Sequence, residues 1–82
     1  MNEIMRVVLR ADGAQRDALE TALIVAGAEA MEERDVSINP ELEGLVEFHL
    51  YGSLEDESQL RELVDRADVA ALLLEPVRVI RE

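Results

Sequence analysis

Apolar and polar residues alternate along the start of the chain. Met5, Val7, Leu9 and Ala11 fall in one series, and Ile4, Arg6, Val8 and Arg10 in the other. A period of two marks a strand, here with one apolar face and one mixed face. Asp12-Gly13 stops the alternation and offers a side chain that can cap the next segment. The period then lengthens. Leu19, Ala22, Leu23 and Ala26 stand at i, i+3, i+4 and i+7, one stripe of an amphipathic helix. Gly27 lies just past the stripe, where a left-handed cap is favoured. Ile24 falls on the opposite side of the helical wheel, among Asp17, Glu20 and Thr21, and hints at an interface.

The segment from Ala28 to Ile38 is expected to form a second strand. Its middle, Glu32-Glu33-Arg34-Asp35, suits a sheet edge, where charge discourages pairing with other chains. Asn39-Pro40-Glu41-Leu42-Glu43-Gly44 reads as a connection. Val46, Phe48 and Leu50 then alternate with Leu45, Glu47, His49 and Tyr51, a third strand whose first set points inward. Ser53-Leu54-Glu55-Asp56 has the spacing of a capping box, and Leu60, Leu63, Val64 and Ala67 repeat the helical stripe. The last segment, Ala71 to Arg81, is a fourth strand interrupted by Pro76, and a proline in a strand belongs on an edge.

Two βαβ crossovers around a hairpin predict a single α+β domain over residues 1–82, ferredoxin-like in form (βαββαβ). Both helices lie on one face of a four-stranded antiparallel sheet. The usual strand order, 4-1-3-2, places the second and fourth strands at the edges, the two positions that their chemistry selects independently.

The order of pieces resembles the ACT-like regulatory modules. The matching stretches are Val7 to Gly13, Ala26-Gly27, Gly44 to Phe48, and Val77 to Ile80. That resemblance implies a homodimeric sensor of small ligands, with the ligand beside the first-turn glycine. In this chain Gly13 is followed by Ala14 and Gln15 rather than a bulky apolar residue. A narrower stretch, Ala18 to Asp35, is similar to the substrate-recognition domain that precedes a ribosomal-protein methyltransferase. Both resemblances imply a binding module.

Composition narrows the function. There is no cysteine, so disulfides and thiolate metal sites are excluded. The run from Met1 to Arg10 is too short and too charged for a signal or membrane segment, so a cytoplasmic protein is expected. Net charge is −11, from 19 acids against 8 bases, all of them arginine. Phosphate binding rests on basic residues, so direct nucleic-acid binding is not expected. Binding of RNA bases on the sheet would also need aromatics, and the chain has one Phe and one Tyr. The charge is also uneven: residues 29–57 hold ten acids and only Arg34.

Glu47, His49 and Tyr51 share one face of the third strand, and an acid, an imidazole and a phenol can move protons. No nucleophile, second histidine or glycine-rich loop accompanies them. Pairing with Arg6 and Arg10 across the sheet, on a solvated or interface face, accounts for them more simply. Glu41, Glu43, Glu55, Asp56 and Glu57 could be read as metal ligands, but their spacing is not that of a calcium loop, and acids at a helix start complement its dipole. No catalytic, metal or cofactor site is therefore assigned.

The acidic middle is the strongest signal. Glu32, Glu33, Asp35, Glu41, Glu43, Glu47, Glu55, Asp56 and Glu57 are expected along one edge of the sheet. They are expected to dock a non-catalytic module on a basic protein surface, as an inhibitor or nucleic-acid mimic of the phage anti-defence type. The ACT-like sensor, dimeric through its open sheet face, is the alternative.

Overall fold

The computed structural model describes residues 4–35, 40–53 and 56–81, with Ser53 described in its backbone only. Four strands and two helices run in the order β1 (Ile4–Asp12), α1 (Arg16–Ala26), β2 (Met31–Arg34), β3 (Leu45–Ser53), α2 (Glu57–Ala67) and β4 (Arg78–Arg81). Short 3-10 turns stand at Gly13–Gln15, Pro40–Leu42 and Ala70–Leu72. The sheet order is β2-β3-β1-β4, with every neighbouring pair antiparallel. This is the ferredoxin-like βαββαβ fold.

The central pair is the spine. β1 and β3 run side by side for nine residue pairs, from Ile4 opposite Ser53 to Asp12 opposite Leu45. That register puts Met5, Val7, Leu9 and Ala11 on the same face as Val46, Phe48 and Leu50, and all seven are buried. Leu19 and Leu23 of α1 and Leu63 of α2 close over them, with Leu60, Val64 and Ala67 packed alongside. The stripe of each helix thus covers the apolar series of the strands, which is why both helices lie on one side.

The junctions reflect local chemistry. Asp12 Oδ1 accepts from the Ala14 amide at 2.9 Å, ending β1 in a capped turn. Gly27 adopts φ 109°, and the amides of Gly27 and Ala28 return to the Ile24 and Leu23 carbonyls at 3.0 Å each. An L side chain at that φ is strained, so glycine is required there.

Three boundaries differ from the expected ones. β2 begins at Met31 rather than Ala28, because Ala28 is still closing the end of α1. The expected extension of β2 to Ile38 lies outside the described residues. α2 begins at Glu57 with Asp56 before it, and Asp56 makes no side-chain capping bond. Ser53 pairs with Ile4 as the last residue of β3, so its backbone belongs to the strand rather than to a helix cap. Pro76 precedes β4 instead of interrupting it. The chain touches β1 first at Leu73, opposite Ala11, and Leu74 donates to the Arg10 carbonyl at 2.9 Å. It leaves the sheet after Leu74, passes through Pro76, which has no amide to give, and rejoins at Arg78.

Phe48→Ala, at the centre of the core, is expected to cost about 3–5 kcal/mol. Gly27→Ala is expected to cost about 1–2 kcal/mol through its left-handed backbone. Urea unfolding with an unchanged denaturant slope checks both; neutrality at Gly27 would contradict the cap geometry.

Candidate functional site

The second face of the sheet carries the polar series. Arg6, Val8 and Arg10 of β1 stand opposite Tyr51, His49 and Glu47 of β3, and Glu32 and Arg34 of β2 pair with His49 and Glu47 on the other side. Arg78 of β4 stands opposite Val8. This face is not solvated in its middle. Glu47 is 6% exposed, His49 4% and Val8 2%.

Glu47 is the hub. Its Oε2 accepts from Arg10 Nε and Nη2 at 2.8 and 2.6 Å and from Arg78 Nη2 at 3.4 Å. Its Oε1 lies 3.0 Å from His49 Nε2. Glu75 ties the two arginines together, 4.0 Å from Arg10 and 3.2 Å from Arg78. Burial pushes the Glu47 carboxyl up, but the hydrogen bonds from His49 and Arg10 more than reverse this and hold it below the usual carboxylate range. An ionised carboxylate only accepts, so His49 Nε2 carries the proton and Nδ1 does not. Nδ1 is buried with no hydrogen-bond partner among the described residues. Burial lowers the His49 pKa, helped by the positive charges of Arg34 and Arg6, and the bond to Glu47 only partly offsets this. His49 is therefore a neutral, packed imidazole. The expected pairing of Glu47 with Arg10 is present; the expected solvated face is not.

The nine acids expected on one edge separate into different environments. Glu33 is gripped by Arg16 from the start of α1, through Nε at 2.7 Å and Nη2 at 2.6 Å. Glu32 is bonded to Arg34, and the Tyr51 hydroxyl donates to it at 3.2 Å; the arginine bond, then the phenol, holds its carboxyl below the usual range. Glu57 is held by Arg81 and, at 3.3 Å, by Arg61. Asp35, Glu41 and Asp56 also have partners. Glu43 is exposed and forms no ion pair among the described residues. Glu55 lies outside the described residues. Glu47 is a correction: buried beneath arginines, it is not part of an accessible edge. The reason is topological, since three of the arginines that meet these acids (Arg10, Arg16 and Arg81) come from the two near-neutral ends of the chain.

Acids also gather at a cleft that the sequence pattern marks only in part. A cleft of about 480 Å³ opens between α2 and residues 27–30, beside the start of β2. Leu50, Leu60 and Leu63 give it an apolar lining, and Glu29, Asp56 and Glu62 give it acidic walls. Glu29 and Glu62 are exposed and form no ion pair among the described residues. Arg66, the one cation among the described lining residues, donates to the Ala26 carbonyl at 2.8 Å, closing the end of α1. Glu29 and Asp56 belong to the acidic middle but Glu62 does not, so charge counting along the chain marks this site only in part.

The first-turn glycine packs against the turn before β3. The Gly13 amide donates to the Gly44 carbonyl at 2.9 Å, and a Cβ on Gly13 would stand 3.2 Å from that oxygen. Among the described residues, no group of three or more acidic or histidine side chains is placed to hold a metal ion. No described helix is long and apolar enough to cross a membrane.

No protein-family model matches the chain, and no curated protein matches its sequence. Solved structures match its fold. A Bordetella bronchiseptica protein named for antibiotic biosynthesis monooxygenases superposes with a TM-score of 0.59 at 11% identity, over 100% of this chain and 96% of that one. The apo form of CPII from Thiomonas intermedia K12, a nitrogen regulatory PII-like protein, superposes with a TM-score of 0.53 at 15% identity, over 98% and 91%. At these identities the likeness shows the ferredoxin-like fold alone.

The buried His49 sets a pH dependence. Its folded pKa lies below the unfolded value, so the unfolded chain takes up the proton first as pH falls. Stability should be complete above about 6.5 and decline as pH drops toward the folded pKa. Glu47 adds a further loss only below the ordinary carboxylate range, as it is protonated. Thermal melts between neutral and mildly acid pH should show the first decline in the wild type and not in His49→Gln; identical profiles would contradict a neutral buried imidazole.

Proposed function

We propose that the chain is a non-catalytic binding module whose uncompensated acidic surface docks on a basic surface of another protein. The observation that carries this is the partition of the acids. The arginines hold Glu32, Glu33, Glu47 and Glu57, while Glu29, Glu43, Glu62 and Asp65 are exposed and form no ion pair among the described residues. A field of this sign speeds encounter with basic partners and repels acidic ones.

The proton-transfer reading loses support from burial. Glu47 and His49 are bonded to each other and nearly buried, which supports a structural role for both over proton transfer. The ligand-sensing alternative gains no added support from the first turn, where the Gly13 amide is bonded to the Gly44 carbonyl.

Affinity capture followed by mass spectrometry tests the proposal. A basic protein should be retained at about 0.05 M salt and released near 0.5 M, since surface charge attraction is screened over that range. Glu43→Lys with Glu62→Lys should weaken retention while leaving the unfolding midpoint within about 0.5 kcal/mol of wild type. Retention indifferent to both salt and charge reversal would overturn the docking reading.

A further inference from the structure

We infer that the cleft between α2 and residues 27–30 is the point where the docked partner inserts an arginine or lysine side chain. This rests on the docking reading above and names the place and the residue type.

The shape and the chemistry of the cleft agree on that occupant. Long basic side chains are amphipathic, with an apolar stem and a charged head. The cleft offers the complement of both. Leu50 and Leu63 are buried core residues that line the cleft, and Leu60 packs against the same core, so these three give the cleft an apolar part beside its polar one. Glu29 stands on one side, on the segment leading into β2, and Glu62 on the other, on α2. The two carboxylates come from different elements, so a cation between them is approached from two sides. Neither is engaged by an arginine among the described residues. Arg66, the positive group in the lining, is anchored to the Ala26 carbonyl and forms no ion pair with Glu29 or Glu62 among the described residues, so the two acids outnumber it.

Other regions are less suited to a basic partner. On the second sheet face, Arg10, Arg34 and Arg78 already cover Glu47 and Glu32. The exposed apolar residues Ile24 and Val25 offer no charge contact of their own.

An NMR titration of the isotope-labelled full chain, with a hexa-arginine peptide and separately with spermidine, tests the inference. The peptide should shift the amides of Ala28 to Ala30, Leu50 and Gln59 to Leu63. Glu29→Lys with Glu62→Lys should weaken it by about tenfold or more. Asp17→Lys with Glu43→Lys, an equal charge change away from the cleft, should weaken it far less. Equal losses in the two double variants, or shifts spread over the other acids, would overturn the cleft while leaving the docking reading standing. No salt-sensitive peptide binding anywhere would overturn both. Spermidine filling the cleft as tightly as the peptide would overturn the partner side chain in favour of a small polyamine ligand. Chemical-shift dispersion like that of the wild type shows that each variant is folded.

Discussion

Eight arginines have to serve nineteen carboxylates in this chain, and the fold is arranged around where they go. The most demanding of the acids is Glu47, a carboxylate placed inside the sheet's second face by strict alternation along β3. Burying a lone carboxylate there would be prohibitive, and pairing makes it tolerable. Arg10 reaches it across the central strand pair, Arg78 from the edge strand and His49 from the same strand. The nine-pair register of β1 with β3 is what brings Arg10 opposite Glu47, so the same register aligns the apolar core on one face and the charge pairs on the other.

The other cross-chain pairs have the same origin. Arginines from the first and last thirds of the chain are drawn onto acids of the middle third: Arg16 onto Glu33, Arg10 onto Glu47, Arg81 onto Glu57. These contacts fasten α1 to β2, β1 to β3, and β4 to α2. Eight cations leave a surplus of acid in a chain of nineteen carboxylates. Part of that surplus stands at the surface, with Glu29 and Glu62 flanking the cleft beside α2. Acids held by arginines and acids left at the surface are thus separated by topology rather than by position in the sequence.

Much of the fold is legible in the sequence because local signals agree with one another. The alternation at Met5 to Ala11 and Val46 to Leu50, the stripes at Leu19 to Ala26 and Leu60 to Ala67, and Gly27 as the cap are each readable without long-range information. Charge and proline identify the edge strands correctly, although β2 and β4 are only four residues each. The site is less legible. The acidic count along the chain singles out Glu32, Glu33, Glu47 and Glu57, which are engaged in the fold, and it passes over Glu62. Several of the ion pairs span 17 to 37 positions of sequence separation, and a one-dimensional charge profile contains no such information. Burial of His49 is likewise hidden, because it depends on side chains from neighbouring strands lying over it.

Whether arginine pairing governs the sheet's second face is tested most directly by the sign of one ionisation shift. Burial alone would raise the Glu47 pKa, whereas the bonds from His49 and Arg10 lower it. An NMR titration following the Glu47 side-chain carboxyl carbon resolves the competition. With the bonds from His49 and Arg10 dominant, the midpoint should fall below the ordinary glutamate value of about 4.3. A midpoint above that value would mean that desolvation outweighs the bonds from His49 and Arg10, and that Glu47 is not the hub that joins them.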